Sequence, residues 1–295
     1  MDPRFVRLSA GGFLVVALAF PARAAAEDER LVLSVEARVG TATAPYVTRF
    51  FPEVSGYGVA LQAFAFWRPA SLVGLWFRAP YALMRVEQPA GAFYDEAAFG
   101  NPELGVRVER PLLAVDASDG RAGLDFSIGL PLAEHDSRDS QLEGRALTLA
   151  NAFSGLSEPE LYTPGVVALT PSAFATLRWS RLSLRGALKI PLLARVSRAS
   201  LPSDANARSF GMASVVEVAG TVSPLTWLSL SLAPRLTVRE RAVVTDGAGP
   251  ANFLVSGVVG VAPSKGFSAA LSAHVPVAGS LRSTLAGGLL LEAKF

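Results

Sequence analysis

Leu285-Ala-Gly-Gly-Leu-Leu-Leu-Glu-Ala-Lys-Phe295 closes the chain. Its residues alternate, with Leu285, Leu289, Leu291, Ala293 and Phe295 on one side and Ala286, Gly288, Glu292 and Lys294 on the other. Successive side chains of a strand point to opposite faces, so this period of two predicts a strand with one apolar and one polar face. Such a strand needs an apolar medium on one side, a polar one on the other, and neighbours for its backbone groups.

The same period recurs along the chain. It marks twelve candidate strands, at about 30–39, 56–68, 72–85, 103–115, 122–133, 165–179, 182–195, 211–222, 227–240, 253–263, 267–277 and 282–295. Hydrophobic residues make up 51% of the chain, yet after Ala26 no uncharged apolar run approaches the ~20 residues of a spanning helix. The apolar residues are dispersed, as alternation requires. Cysteine is absent, so closure of a sheet has to supply the stability that disulfides give small exported domains.

Sorting by alternation collects aliphatic residues on one face, among them Leu33, Leu104, Val106, Leu124, Phe126, Leu184, Leu230 and Leu271. The opposite face collects Glu36, Arg38, Glu103, Arg107, Glu109, Asp125, Arg185, Lys189, Glu217, Arg235, Arg239, Arg282, Glu292 and Lys294. An Arg or Lys facing lipid at mid-depth costs about 2–4 kcal/mol, so these charges are assigned to the lumen of a barrel. A soluble sandwich would reverse the faces. Connections alternate between short (69–71, 116–121, 180–181, 223–226, 263–266) and long (40–55, 86–102, 134–164, 196–210, 241–252), with 278–281 the exception. Short periplasmic and long external connections are the habit of bacterial barrels. Trp67, Trp179 and Trp227 sit beside short turns, where indole rings suit the membrane interface. The expected fold is all-β, a twelve-stranded antiparallel up-and-down transmembrane barrel with periplasmic termini.

The N-terminal end agrees. Arg4 and Arg7 precede the apolar run Phe13–Phe20, and small residues follow at Ala22-Arg-Ala-Ala-Ala26. This predicts a secretory signal peptide over 1–26 and a barrel over 27–295. The terminal Phe295 resembles the recognition signal of outer-membrane barrels, which implies the barrel-assembly machinery and outer-membrane lipid of a Gram-negative bacterium as partners. Formal charge is +2. Residues 1–26 carry all of it through Asp2, Arg4, Arg7 and Arg23, so the remainder is near neutral and gives no case for nucleic acid.

Prolines at Pro80, Pro131, Pro191, Pro234 and Pro276 fall late in the third, fifth, seventh, ninth and eleventh strands. A proline removes a ladder donor, so these strands are expected to bend or stop pairing near the outer rim. The longest connection, 134–164, contains Leu142-Glu-Gly-Arg-Ala-Leu-Thr-Leu-Ala-Asn-Ala-Phe153, a candidate short helix. The connection can fold into the mouth or stand outward, and nothing local decides.

Candidate chemistry is sparse. Ser272 and His274 lie two apart on the inward face of the eleventh strand, within reach of each other, but no Asn or Asp is evident to orient the imidazole. His135 and Asp136 belong to Glu134-His-Asp-Ser-Arg-Asp139, whose Arg138 argues against a cation site. No cofactor, metal or catalytic residue is expected. Phe64, Phe66, Trp76 and Phe174 fall on the inward face and form a candidate aromatic ledge.

Arg78-Ala-Pro-Tyr-Ala-Leu, Phe99-Gly-Asn-Pro-Glu-Leu-Gly-Val-Arg107 and Gly129-Leu-Pro-Leu together resemble the outer-membrane barrels of the MetA pathway of phenol degradation. The resemblance covers about 78–133, with Asn-Pro in place of the commoner Gly-Asp pair. It implies a transporter rather than an enzyme. The expected function is passive passage of small solutes, aromatic or hydrophobic compounds among them. A closed structural or surface-interaction barrel is the alternative, and a lipid-modifying barrel the third reading.

Overall fold

The computed structural model describes residues 30–48, 51–87, 91–112, 118–133, 140–196, 209–241, 251–281 and 284–295. The expected signal peptide, Arg282, His135 and Asp136 lie outside them. The strands are β1 (Leu31–Thr48), β2 (Phe51–Ala70), β3 (Val73–Glu87), β4 (Phe93–Phe99), β5 (Glu103–Pro111), β6 (Ser118–Gly129), β7 (Val166–Trp179), β8 (Leu182–Lys189), β9 (Leu192–Arg195), β10 (Phe210–Leu225), β11 (Leu228–Arg241), β12 (Ala251–Ser264), β13 (Phe267–Ala278) and β14 (Leu285–Lys294). Two helices, α1 (Ser140–Phe153) and α2 (Pro159–Tyr162), lie between β6 and β7.

Every pairing is antiparallel, and the sheet closes when β14 pairs with β1 from Val32↔Lys294 to Thr41↔Leu285. Two staves are interrupted. β3 pairs with β5 below Pro80 and with β4 above it, so β4 and β5 are one stave broken at Gly100-Asn101-Pro102. β8 and β9 both pair with β7 and β10, and their break falls at Ile190-Pro191. Counting each broken stave once gives a closed barrel of twelve strands. Closure pairs the staves all round the ring except along the second edge of β4, and pairing between strands is what lipid demands of backbone polar groups.

The outer surface carries a belt of exposed aliphatic and aromatic residues, including Leu33, Leu104, Val106, Leu124, Phe126, Leu184, Leu230 and Leu271. Trp67, Trp179 and Trp227 are exposed at the end where the tight turns lie. Phe295 sits at the closing seam. Its N–H donates to Leu31 O at 2.9 Å, and its carbonyl accepts from Arg30 and Leu31 N–H at 3.1 Å each, while the residue stays 70% exposed.

The first two strands run well beyond the expected 30–39 and 56–68, through stretches read as the loop 40–55. The reason is packing. Ala42, Ala44 and Val54 are small and lack an aliphatic outer face, but they are buried against α1 in the main apolar cluster. A Cβ on Gly56 would lie 2.7 Å from Leu149 Cδ1 and 2.4 Å from Arg85 O, so only glycine fits there. β4 likewise occupies part of the expected loop 86–102, its pattern broken by the polar pair Asp95–Glu96.

The loop between β6 and β7 folds inward. α1 packs against β1, β2, β3 and β4, and Leu147, Leu149, Phe153, Leu156 and Leu161 are fully or almost fully buried with Ala82, Met84 and Val86 of the wall. The apolar core of this barrel is therefore inside its outer half, on one side. Among the described residues no strand pairs with the second edge of β4. At the foot of that seam non-strand backbone is clipped to Asn101, whose N–H donates to Leu161 O (2.7 Å). Its Nδ2 donates to Thr163 O (2.6 Å), and its Oδ1 accepts from Ala133 N (3.0 Å).

Candidate functional site

The end of α1 aims the loop. Leu156 N–H donates to Asn151 O and Gly155 N–H to Ala152 O, the paired bonds of a left-handed helix stop. Gly155 takes φ 72° and Leu156 φ 59°. The chain reverses there and carries Ser157, Glu158 and Glu160 into the lumen.

Four basic residues from the wall meet this segment. Arg38 on β1 donates to Glu158 Oε2 at 2.5 Å and to Glu36 at 2.6 Å. Gln62 on β2 donates to the same Oε2 at 2.8 Å, and Arg78 on β3 reaches Glu158 Oε1 at 3.3 Å. Arg78 also reaches Glu160 at 3.1 Å and Glu103 at 3.1 Å, while Lys189 on β8 donates to Glu160 at 2.6 Å. Arg235 on β11 donates to Ser157 Oγ at 2.9 Å. Burial pushes the Glu158 carboxyl up, but Arg38 and Arg78 outweigh it and hold the group well below the usual carboxylate range. Burial wins at Glu160, helped by repulsion from Glu103 and opposed by Lys189 and Arg78, and its carboxyl is pushed up. Burial also raises the Tyr162 hydroxyl, which accepts from Gln62 at 3.1 Å.

Below the loop a cavity of about 310 Å³ remains in the lumen. Glu36, Arg38, Glu103, Arg107, Asp125, Arg185, Lys189, Glu217 and Arg235 line it, with Phe64, Trp76 and Phe174. Most of its charges form pairs between residues opposite one another on neighbouring strands: Arg78 with Glu103, Arg107 with Asp125 at 2.7 Å, and Arg235 with Glu217. Such pairs neutralise the wall while keeping side chains along it. Glu109 is shared by Arg68 (3.5 Å) and Arg121 (3.2 Å). Glu292 and Lys294, 3.4 Å apart, line a second cavity of about 240 Å³ beside Trp227 and Lys265. Arg239 is partly buried near the outer end of β11.

Three of the four aromatic residues lie against glycines. A Cβ on Gly74 would fall 2.3 Å from the Phe66 ring, one on Gly105 would fall 2.1 Å from Trp76, and one on Gly123 would fall 2.6 Å from Phe174. Phe64 and Trp76 face each other at 6.1 Å, tilted by 36°. The glycines give these three rings room against the wall.

Ser272 Oγ lies 3.0 Å from His274 Nε2, and Ser256 Oγ lies 2.8 Å from Nδ1. The imidazole is thus held between two hydroxyls on the inner face, with no carboxylate hydrogen-bonded to it among the described residues.

Sequence reading missed Arg78, Glu158, Glu160, Gln62 and Asn101 as parts of the site. A signal existed for the acids. The inward list holds eight basic and six acidic residues, Arg78 adds a further base, and the loop supplies two more acids to the same compartment.

No protein-family model matches the chain, and no curated protein matches it in sequence. Its fold is similar to that of an outer membrane channel from Pseudomonas putida F1, with TM-score 0.63 and 10% identity over 94% of this chain and 100% of that one. It is also similar to the transport unit of the autotransporter AIDA-I from Escherichia coli, with TM-score 0.51 and 10% identity over 99% of this chain and 97% of that one. By closed sheet, exposed apolar belt and these likenesses, the chain is an outer-membrane β-barrel of the Gram-negative type.

Proposed function

We propose that this barrel is a passive channel for small solutes, aromatic or hydrophobic compounds among them. One observation carries the reading: the lumen beneath the inserted loop keeps a cavity of about 310 Å³ instead of being filled by side chains. Trp76 and Phe174, two of its three lining rings, are laid against glycines. The loop narrows the outer half, which suits passage of small molecules better than bulk flow. The resemblance of 78–133 to the barrels of the MetA phenol-degradation pathway agrees with this reading, and Phe295 at the closing seam would serve as the assembly signal.

Planar-bilayer recording of the purified protein tests it. Steady unitary currents support the channel, and silence from a folded barrel overturns it.

A closed structural barrel is the second reading, favoured by the wall cations that hold the loop in the mouth. A lipid-modifying enzyme has less support. Ser256 occupies the place where a triad would need an acid, and the Ser272–His274 pair faces the lumen side. Lipid hydrolysis abolished by Ser272→Ala would restore that reading.

A further inference from the structure

Phe66, Arg107, Phe174 and Arg185 form an alternating row around the lower lumen. The Arg107 guanidinium lies 5.5 Å from the Phe66 centroid and 4.8 Å from that of Phe174, and Arg185 lies 5.6 Å from Phe174. The row ends in an unmatched cation. Arg107 is paired through two nitrogens with Asp125, at 2.7 and 3.0 Å. Glu217, the other carboxylate near Arg185, is gripped by Nε (2.7 Å) and Nη2 of Arg235. Among the described residues Arg185 makes no ion pair and no hydrogen bond, although it lines the lumen cavity.

A guanidinium presents five N–H donors in a fixed fork. Stacking on Phe174 compensates its charge in part but satisfies none of those donors. Its donors open on the lumen cavity, where no acceptor among the described residues meets them, and an ionisable residue on the inner wall of a membrane-spanning barrel is a functional-site candidate. Farther up the same cavity Thr170, 3% exposed, also has its hydroxyl unpartnered. Every acidic group around Arg185 is already engaged, so a ligand there must bring its own acceptors.

We infer that Arg185 is a recognition residue for a small carboxylate-bearing solute. Phe174 holds the guanidinium plane, and the fork faces the lumen to take both oxygens of the carboxylate, the geometry at which Arg excels and Lys does not. This deepens the channel reading and rests on it for the route by which the solute arrives.

Calorimetric titration of the detergent-folded barrel with benzoate, butyrate and benzyl alcohol tests the site. Both carboxylates should bind the unaltered protein, and benzyl alcohol should bind at least about tenfold more weakly, the scale of one charge-assisted hydrogen bond. R185Q should weaken carboxylate binding by a similar factor. R185K, which keeps the charge without the fork, should fall between and also guards against a folding defect in R185Q. Equal binding of benzoate and benzyl alcohol, unchanged affinity in R185Q, or no benzoate binding at all would overturn the inference. The channel reading is separated by bilayer recording. Unitary currents without carboxylate binding remove only the site, whereas carboxylate binding by a silent barrel keeps the site and removes the channel.

Discussion

Arg38 and Glu158, 120 residues apart in sequence, meet at 2.5 Å inside the barrel, and this contact joins the wall to the loop that occupies its mouth. Both side chains are almost fully buried, and Glu36, Gln62 and Arg78 complete the surround. Breaking one side of a buried pair leaves an uncompensated charge, at a cost of roughly 3–5 kcal/mol. Glu158→Ala is therefore expected to destabilise docking of the loop without unfolding the barrel. Limited proteolysis checks it: cleavage within 140–162 should become fast while heat-resistant migration of the folded barrel persists.

The same contact sets an acid response. Glu158 is held well below the usual carboxylate range when docked, so its contribution is present above that range and is lost as pH falls through the depressed docked value. Glu160, pushed up, pulls the other way. It disfavours docking above its ordinary range, and this penalty vanishes as it takes up a proton. Mild acid should therefore leave the loop docked, and only strong acid should release it. Conductance recorded against pH should rise only at the acid extreme, and Glu158→Gln should remove that rise.

Asn101, at the foot of β4, bonds backbone groups of Ala133, Leu161 and Thr163. Asn101→Ala would strand the buried Ala133 N–H away from water, at about 1–3 kcal/mol, and would remove the bond to the part-buried Thr163 carbonyl. A lower temperature for loss of the compact band on electrophoresis is the expected outcome, with β-type circular dichroism unchanged.

Phe64, Phe66 and Trp76 offer a flat solute an apolar surface, each ring worth about 0.5–1.5 kcal/mol beyond burial. Replacing all three with Ala should slow uptake of small aromatic compounds while passage of small ions changes little, because Phe66 and Trp76 rest on Gly74 and Gly105 rather than spanning the lumen. A large gain in ion conductance would mean instead that the rings had been the plug.

The membrane-spanning parts of this fold were legible because lipid imposes one rule on every strand. Leu104, Val106 and Val108 on β5 face outward at strict intervals, and the same pattern identified each of the other staves. The outer halves of β1 and β2 were not legible, since Gly40-Thr-Ala-Thr-Ala44 answers to α1 rather than to lipid and its small residues read as a loop. The inward-folded loop was visible only as an alternative. A helix such as Leu142–Phe153 shows its apolar face equally well whether that face meets a partner or the barrel wall. The partners of Glu158 come from β1, β2 and β3, a convergence that exists only after the ring has closed.

The proposed channel requires the lumen to be a continuous path narrowed by the loop. Its most direct test compares unitary currents of the whole barrel with those of a barrel in which residues 140–162 are replaced by a short Gly-Ser linker. The account predicts small, steady currents from the first and distinctly larger ones from the second. Silence from both, with each barrel folded and inserted, would contradict it.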